Sequence, residues 1–231
     1  MAMRPSIPVW DVPTRIFHWL LALCFLGAYL LAERDEWRLV HATLGFTAGA
    51  LVVFRIAWGW IGTRHARFSS FAFRPREVIG YLHSLMRGQV QHYTGHNPAG
   101  SWAIYAMLAL VLGTAASGYA YINDIGGHFV EEVHELLGNA TLAIVIIHVM
   151  GVIVSSYRHR ENLIGSMITG YKSGSADEAI HKPHRTLGFA LIAAVLAFWA
   201  NVFGVRDALI GDAVLAHERG GETSDEVLEN H

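Results

Sequence analysis

Five stretches of this chain run for about twenty residues almost without charge: residues 16–32, 41–61, 102–122, 136–157 and 186–205. Arg55 is the one Asp, Glu, Lys or Arg within them. A helix crossing the hydrocarbon core of a bilayer needs ~20 predominantly apolar residues, ~17 at the short end. Each stretch therefore predicts a membrane-spanning helix. The first is too long for a signal peptide and has no small-x-small cleavage site, so it reads as an uncleaved anchor. Between the second and third spans, residues 76–91 place Val78, Ile79, Leu82, Leu85 and Met86 on one side of a helix. That pattern predicts an amphipathic helix lying at the interface, the alternative being a solvated loop. The segments 93–100 and 172–176 are rich in turn residues.

Composition agrees with the pattern. Hydrophobic residues make up 53% of the 231 positions and charged residues only 16%, where soluble domains carry about 25% charged residues. Mean hydropathy is +0.34. The expected class is an all-α integral membrane helical bundle. The distribution of Lys and Arg orients it. The connectors 1–15, 62–101 and 158–185 hold two, five and five, twelve in all; 33–40, 123–135 and 206–231 hold two, none and two, four in all. Under the positive-inside rule the N-terminus is cytoplasmic and the C-terminus lies on the opposite side of the membrane. The outward connectors are acidic, with Asp124, Glu131, Glu132 and Glu135 in one of them. The tail 206–231 is expected to be acidic and polar, with a disordered end from residue 220.

The candidate chemistry lies in histidines. His134 and His148 are fourteen residues apart on the fourth span, on one helix face and separated by ~21 Å along the axis. Histidines inside a membrane bundle are costly and mark function. With the topology above, His41 and His134 share an outer level, and His18 and His148 share a level near the cytoplasmic side. Each level thus offers two imidazoles from two helices, the axial set of a six-coordinate haem iron. Cys24 is the single cysteine, and no C-x-x-C-H segment exists. Haem would be held non-covalently, b-type, and iron–sulfur clusters are excluded.

Supporting residues follow. Arg55 lies fourteen residues after His41 and needs an anionic partner in the membrane; a haem propionate fits, the alternative being snorkelling to the headgroups. Arg15, one turn before His18, is a second propionate candidate. Gly45 and Gly138 each sit one turn below a histidine, where a missing side chain lets a flat ring approach the backbone. Gly49 suits either that use or helix packing. His184 repeats the H-x-x-L-G pattern of His41 and His134 and competes with His18 for the inner position. His96 is expected on the cytoplasmic side. His65, His83, His92, His128, His159, His181, His217 and His231 are expected at the surface.

Residues 9–19, Val-Trp-Asp-Val-Pro-Thr-Arg-Ile-Phe-His-Trp, together with Arg38-Leu39-Val40-His41, Gly45 and Arg55-Ile56-Ala57-Trp58-Gly59, resemble the prokaryotic cytochrome b561 family. That family includes the b-type cytochrome subunits of nickel–iron hydrogenases. Gly95-His96-Asn97-Pro98 and Gly170-Tyr171-Lys172-Ser173 are similar to its hydrogenase-type branch. The resemblance covers residues 9–174. It implies four core helices, two b haems, and ligands on helices 1, 2 and 4, which fall on His18, His41, His134 and His148. The fold expected is then a four-helix di-haem core plus a fifth transmembrane helix.

The function expected is electron transfer across the membrane between a periplasmic redox partner and the quinone pool. The partner is a c-type cytochrome or a hydrogenase-like subunit, and nucleic acid is not expected. The alternative is a stand-alone quinone-linked oxidoreductase acting on quinol or on a small outer species such as superoxide.

Overall fold

The computed structural model describes residues 5–88 and 91–204; the tail beyond 205, with its expected acidity and disorder, lies outside the described residues. The elements run in the order β1 (Ser6–Pro8), α1 (Val12–Leu30), α2 (Arg38–Ile61), α3 (Pro75–Met86), α4 (Pro98–Ile122), α5 (Gly127–His159), α6 (Leu163–Thr169), β2 (Tyr171–Ser173) and α7 (Arg185–Gly204). Helices α1, α2, α4, α5 and α7 are long and apolar enough to cross a membrane. The protein is an all-α, multi-pass membrane bundle, and its exposed side chains match a lipid surface: Leu23, Leu30, Trp60, Ile147 and Ile153 all face outward.

Helix boundaries differ from the hydropathy limits where chain chemistry intervenes. Helix α1 begins at Val12 because the Asp11 carboxylate caps it, accepting from Thr14 N at 2.8 Å, and Pro13 stands in the first turn. Helix α4 starts the same way, with Asn97 accepting from Gly100 N and Pro98 following. The largest difference is α5. It begins at Gly127, so Glu131, Glu132 and Glu135 stand on a helix and not in a connector as expected. Polarity marks where a helix leaves the hydrocarbon, not where it ends. At 33 residues, α5 is ~50 Å long, well beyond a ~30 Å core. The expected amphipathic helix is present as α3, packed on α4.

Packing proceeds in a chain: α1 on α2, α2 on α4, α4 on α5. Small residues set the close approaches. A Cβ on Gly27 would stand 2.9 Å from Leu44 Cδ1, and one on Gly49 would stand 2.8 Å from Ala115 Cβ. Gly49 is therefore a packing glycine at the α2–α4 crossing. Among the described residues α5 has no comparable packing along α1 or α2. One hydrogen bond reaches across, from Tyr29 Oη to Asn139 Oδ1 at 2.8 Å.

One end of the bundle carries short turns; the other carries a layer built from residues 5–11, 62–88, 91–97 and 160–184. Strands β1 and β2 pair antiparallel there, Ile7 opposite Lys172. Val9 N and Trp10 N both donate to Gly170 O. Asp11 is the hub: besides capping α1 it accepts from Trp58 Nε1 at 3.1 Å and from Thr63 Oγ1, while only 1% exposed. One buried carboxylate thus ties the start of α1 to the end of α2. The chain divides after Leu191 into two compact units; the described part of the second is α7 from residue 192 onward.

Asp11→Ala removes a cap, worth ~1 kcal/mol, and strands two donors, each costing ~1–3 kcal/mol if they stay dry. A loss of about 3 kcal/mol is expected as a lowered midpoint in thermal unfolding of the detergent-solubilised protein. Asp11→Asn, which keeps the cap, should lose less.

Candidate functional site

His41 on α2 and His134 on α5 face one another, their ring centroids 6.1 Å apart and the planes at 75°. Each ring is fixed from behind. His41 Nδ1 lies 2.8 Å from Ala28 O, and His134 Nδ1 lies 2.9 Å from Thr114 O and 3.1 Å from Ser117 Oγ. A carbonyl acceptor requires the proton on Nδ1, which leaves Nε2 of both rings as a free lone pair. Gly118 makes the His134 position possible, because a Cβ there would stand 2.9 Å from His134 Cε1.

At the other level, His18 on α1 and His148 on α5 lie close enough for their charges to interact. His18 Nδ1 is sealed from solvent and has no hydrogen-bond partner. The two expected arginines stand near this end. Arg55 is 3% exposed, so it does not snorkel to the headgroups. Its guanidinium lies over Phe68 at 5.1 Å and Phe71 at 5.9 Å, and Nη1 has no partner. Arg15 Nη1 donates to Ile168 O, while its Nε is sealed and unpartnered. His184 packs edge-on against Trp58, 5.2 Å between centroids, at a φ of 50°.

Gly45 and Gly138, each one turn from a histidine of the outer pair, differ from Gly49. A Cβ on Gly45 or on Gly138 would meet no atom of the protein within 4 Å. Neither glycine is required by helix packing.

Several histidines were expected at the surface and are not there. His65 is 6% exposed, with Nε2 2.8 Å from Glu178 O. His92 is half-buried against Ser173 O at 3.1 Å. His96, expected only as a cytoplasmic residue, packs between Trp10 and Phe71 at 4.7 and 4.5 Å, and its Nδ1 is sealed and unpartnered. Lys172 is buried too, with Nζ donating to Tyr93 O at 3.1 Å and 3.8 Å from Glu161 Oε2. Burial pushes the Lys172 ammonium below its ordinary range, against the pull of Glu161. The G-H-N-P and G-Y-K-S segments were the only sequence signal for His96 and Lys172.

The family model for prokaryotic cytochrome b561 matches residues 9–170, ending before α7. The chain belongs to the prokaryotic cytochrome b561 family. It is 25% identical over 213 residues to a probable Ni/Fe-hydrogenase B-type cytochrome subunit of Rhizobium leguminosarum bv. viciae, covering 72% of this chain and 89% of the relative. The corresponding figures for a probable Ni/Fe-hydrogenase B-type cytochrome subunit of Rhodobacter capsulatus are 22% over 220 residues, 75% and 84%. For a probable Ni/Fe-hydrogenase 1 B-type cytochrome subunit of Escherichia coli (strain K12) they are 23% over 213 residues, 71% and 90%. No solved structure matches the chain.

A b-type cytochrome holds non-covalent haem b, and the residues present fit that group. An iron bonded to two imidazoles at ~2 Å each holds their rings roughly 6 Å apart, close to the 6.1 Å between His41 and His134. The unpartnered Arg55 Nη1 and Arg15 Nε suit carboxylates. The histidines come as pairs, and among the described residues no group of three or more His, Cys, Asp or Glu is placed to hold a bare metal ion.

Gly118→Val drives a side chain into the His134 imidazole. Haem per polypeptide in the purified protein should fall, by about half or more, while far-ultraviolet circular dichroism keeps its helical amplitude. Unchanged haem content would show that His134 needs no clearance from α4.

Proposed function

We propose that residues 9–174 form a di-haem cytochrome b domain in which His41 with His134, and His18 with His148, are the axial ligands. The observation that carries this reading is the stand-off of α5 from α1 and α2, spanned at two levels by histidine pairs. When bound, haem b supplies a one-electron ferric–ferrous couple. The chain supplies everything else. Ala28 O and Thr114 O hold the His41 and His134 rings with Nε2 forward. Gly45 and Gly138 leave room for a flat ring beside each histidine. Arg55 and Arg15 offer donors to propionates at the His18/His148 level. Held by two imidazoles at each level, the group would carry electrons rather than bind a small ligand.

The direction across the membrane follows from Lys and Arg. The loop-rich end, with His18 and His148, faces the cytoplasm of an inner-membrane protein; the His41/His134 level faces the periplasm. Named relatives are probable hydrogenase cytochrome subunits, which favours a hydrogenase-like periplasmic partner over a c-type cytochrome. Asp124, Glu131, Glu132 and Glu135 lie at the partner-facing end. Quinone exchanges electrons at the cytoplasmic level.

The ligand assignment is tested by single alanine variants read by optical redox titration. His41→Ala and His134→Ala should each lose about half of the bound haem and the same redox component. His18→Ala and His148→Ala should lose the other component. His184→Ala should lose neither; loss of the second component in that variant, with His18→Ala unaffected, would reassign the ligand.

A further inference from the structure

The cytoplasmic layer contains a cavity of about 410 Å³ whose walls include Arg64, His65, His92, Thr94, His96 and Glu178. These are water-seeking groups, unlike the apolar lining that receives a quinone and its tail. His96 stands at its deep side. Its ring lies against Trp10 and Phe71, and its Nδ1 is sealed with no partner. His65 touches the same indole, 6.4 Å between centroids. Its Nδ1 would lie 3.0 Å from a Cβ on Gly95, so the ring sits against the backbone leading into His96. Thr94 Oγ1 donates to Glu178 Oε2 at 2.7 Å, and His65 Nε2 lies 2.8 Å from Glu178 O.

The charged and titratable neighbours of each ring are identifiable. His65 faces Arg64, Glu178 and Lys172. The charges acting on His96 are those of Arg55, Lys172, His65 and His148. Phe71 is shared: the His96 ring lies against one side of the same phenyl group over which the Arg55 guanidinium stands. No structural need explains the unpartnered His96 Nδ1, since a sealed nitrogen without a partner costs stability.

We propose that this cavity is a proton inlet: its water exchanges protons with His65 and His96, which pass them between the cytoplasm and a quinone headgroup at the His18/His148 level. The inference rests on the quinone reading above. The balance is simple. Oxidising one quinol breaks two O–H bonds, delivers two electrons to two one-electron acceptors, and releases two protons that leave through the inlet; quinone reduction runs the same steps in reverse. Burial holds both imidazoles below their ordinary range; Arg55 and Lys172 add to the effect at His96, while at His65 Arg64 and Lys172 add to it and Glu178 opposes it. Both rings are thus neutral at neutral pH, each with a nitrogen free to accept a proton.

The test uses the full-length, haem-loaded protein in detergent and stopped-flow absorbance of the haem band. Duroquinol is the donor that must shed protons, and dithionite is the donor that need not. In His65→Ala and His96→Gln, reduction by duroquinol should slow by roughly tenfold or more and gain a larger solvent deuterium isotope effect. The haem spectrum and the dithionite rate should stay at wild-type values. Added imidazole should restore the rate of His65→Ala, which a purely structural role would not allow. Variants that keep the wild-type duroquinol rate, or that slow equally with both donors, overturn the inlet. A wild-type protein that dithionite reduces and duroquinol does not would overturn the quinone reading, and the inlet with it.

Discussion

The separation between α5 and the α1–α2 pair is the constraint on which the rest depends. A helix in lipid gains little from burying more apolar surface, so close approach must come from small residues or polar contacts. The sequence places such residues between α1 and α2, between α2 and α4, and between α4 and α5. Gly27, Gly49, Gly113 and Gly118 each face a neighbouring side chain there. Where α5 would meet α1 or α2, the described side chains make the Tyr29–Asn139 hydrogen bond, and the helices do not pack. What faces that separation is imidazole: His41 opposite His134, and His18 near His148. Gly45 and Gly138, read from the sequence as leaving room for a flat ring, would place a Cβ against nothing within 4 Å.

The two levels are built differently. At the His41/His134 level both rings are locked by backbone carbonyls, so their orientation is set before anything binds. Towards the His18/His148 end several buried polar nitrogens stand unpaired, on His18, Arg15, Arg55 and His96. The layer of connectors at that end supplies this environment. Asp11 joins α1 to α2, the β1–β2 ribbon draws residues 166–173 over the end of α1, and Lys172 pins segment 93–95. The same contacts that stabilise the layer bring His65 and His96 beside one indole.

The bundle was legible in the sequence because hydrocarbon thickness imposes one length on every span. The levels of the histidines were legible because fourteen residues return to the same helix face. The fate of Arg55 was open between lipid headgroup and interior, and its burial decides for the interior. Other features depend on contacts distant in sequence. His65 reads as a surface residue until Glu178, more than a hundred positions later, covers it. The three-residue strands β1 and β2 are too short to show a period. The start of α5 was hidden because acidic residues on a helix emerging from the membrane resemble a loop.

The most direct measurement is electron paramagnetic resonance of the oxidised, purified chain, taken together with its haem-to-polypeptide ratio. Two histidine pairs predict a ratio near two and two low-spin ferric signals, with no high-spin component. A ratio near one, or a high-spin signal of comparable intensity, would contradict the assignment of both pairs as axial ligands.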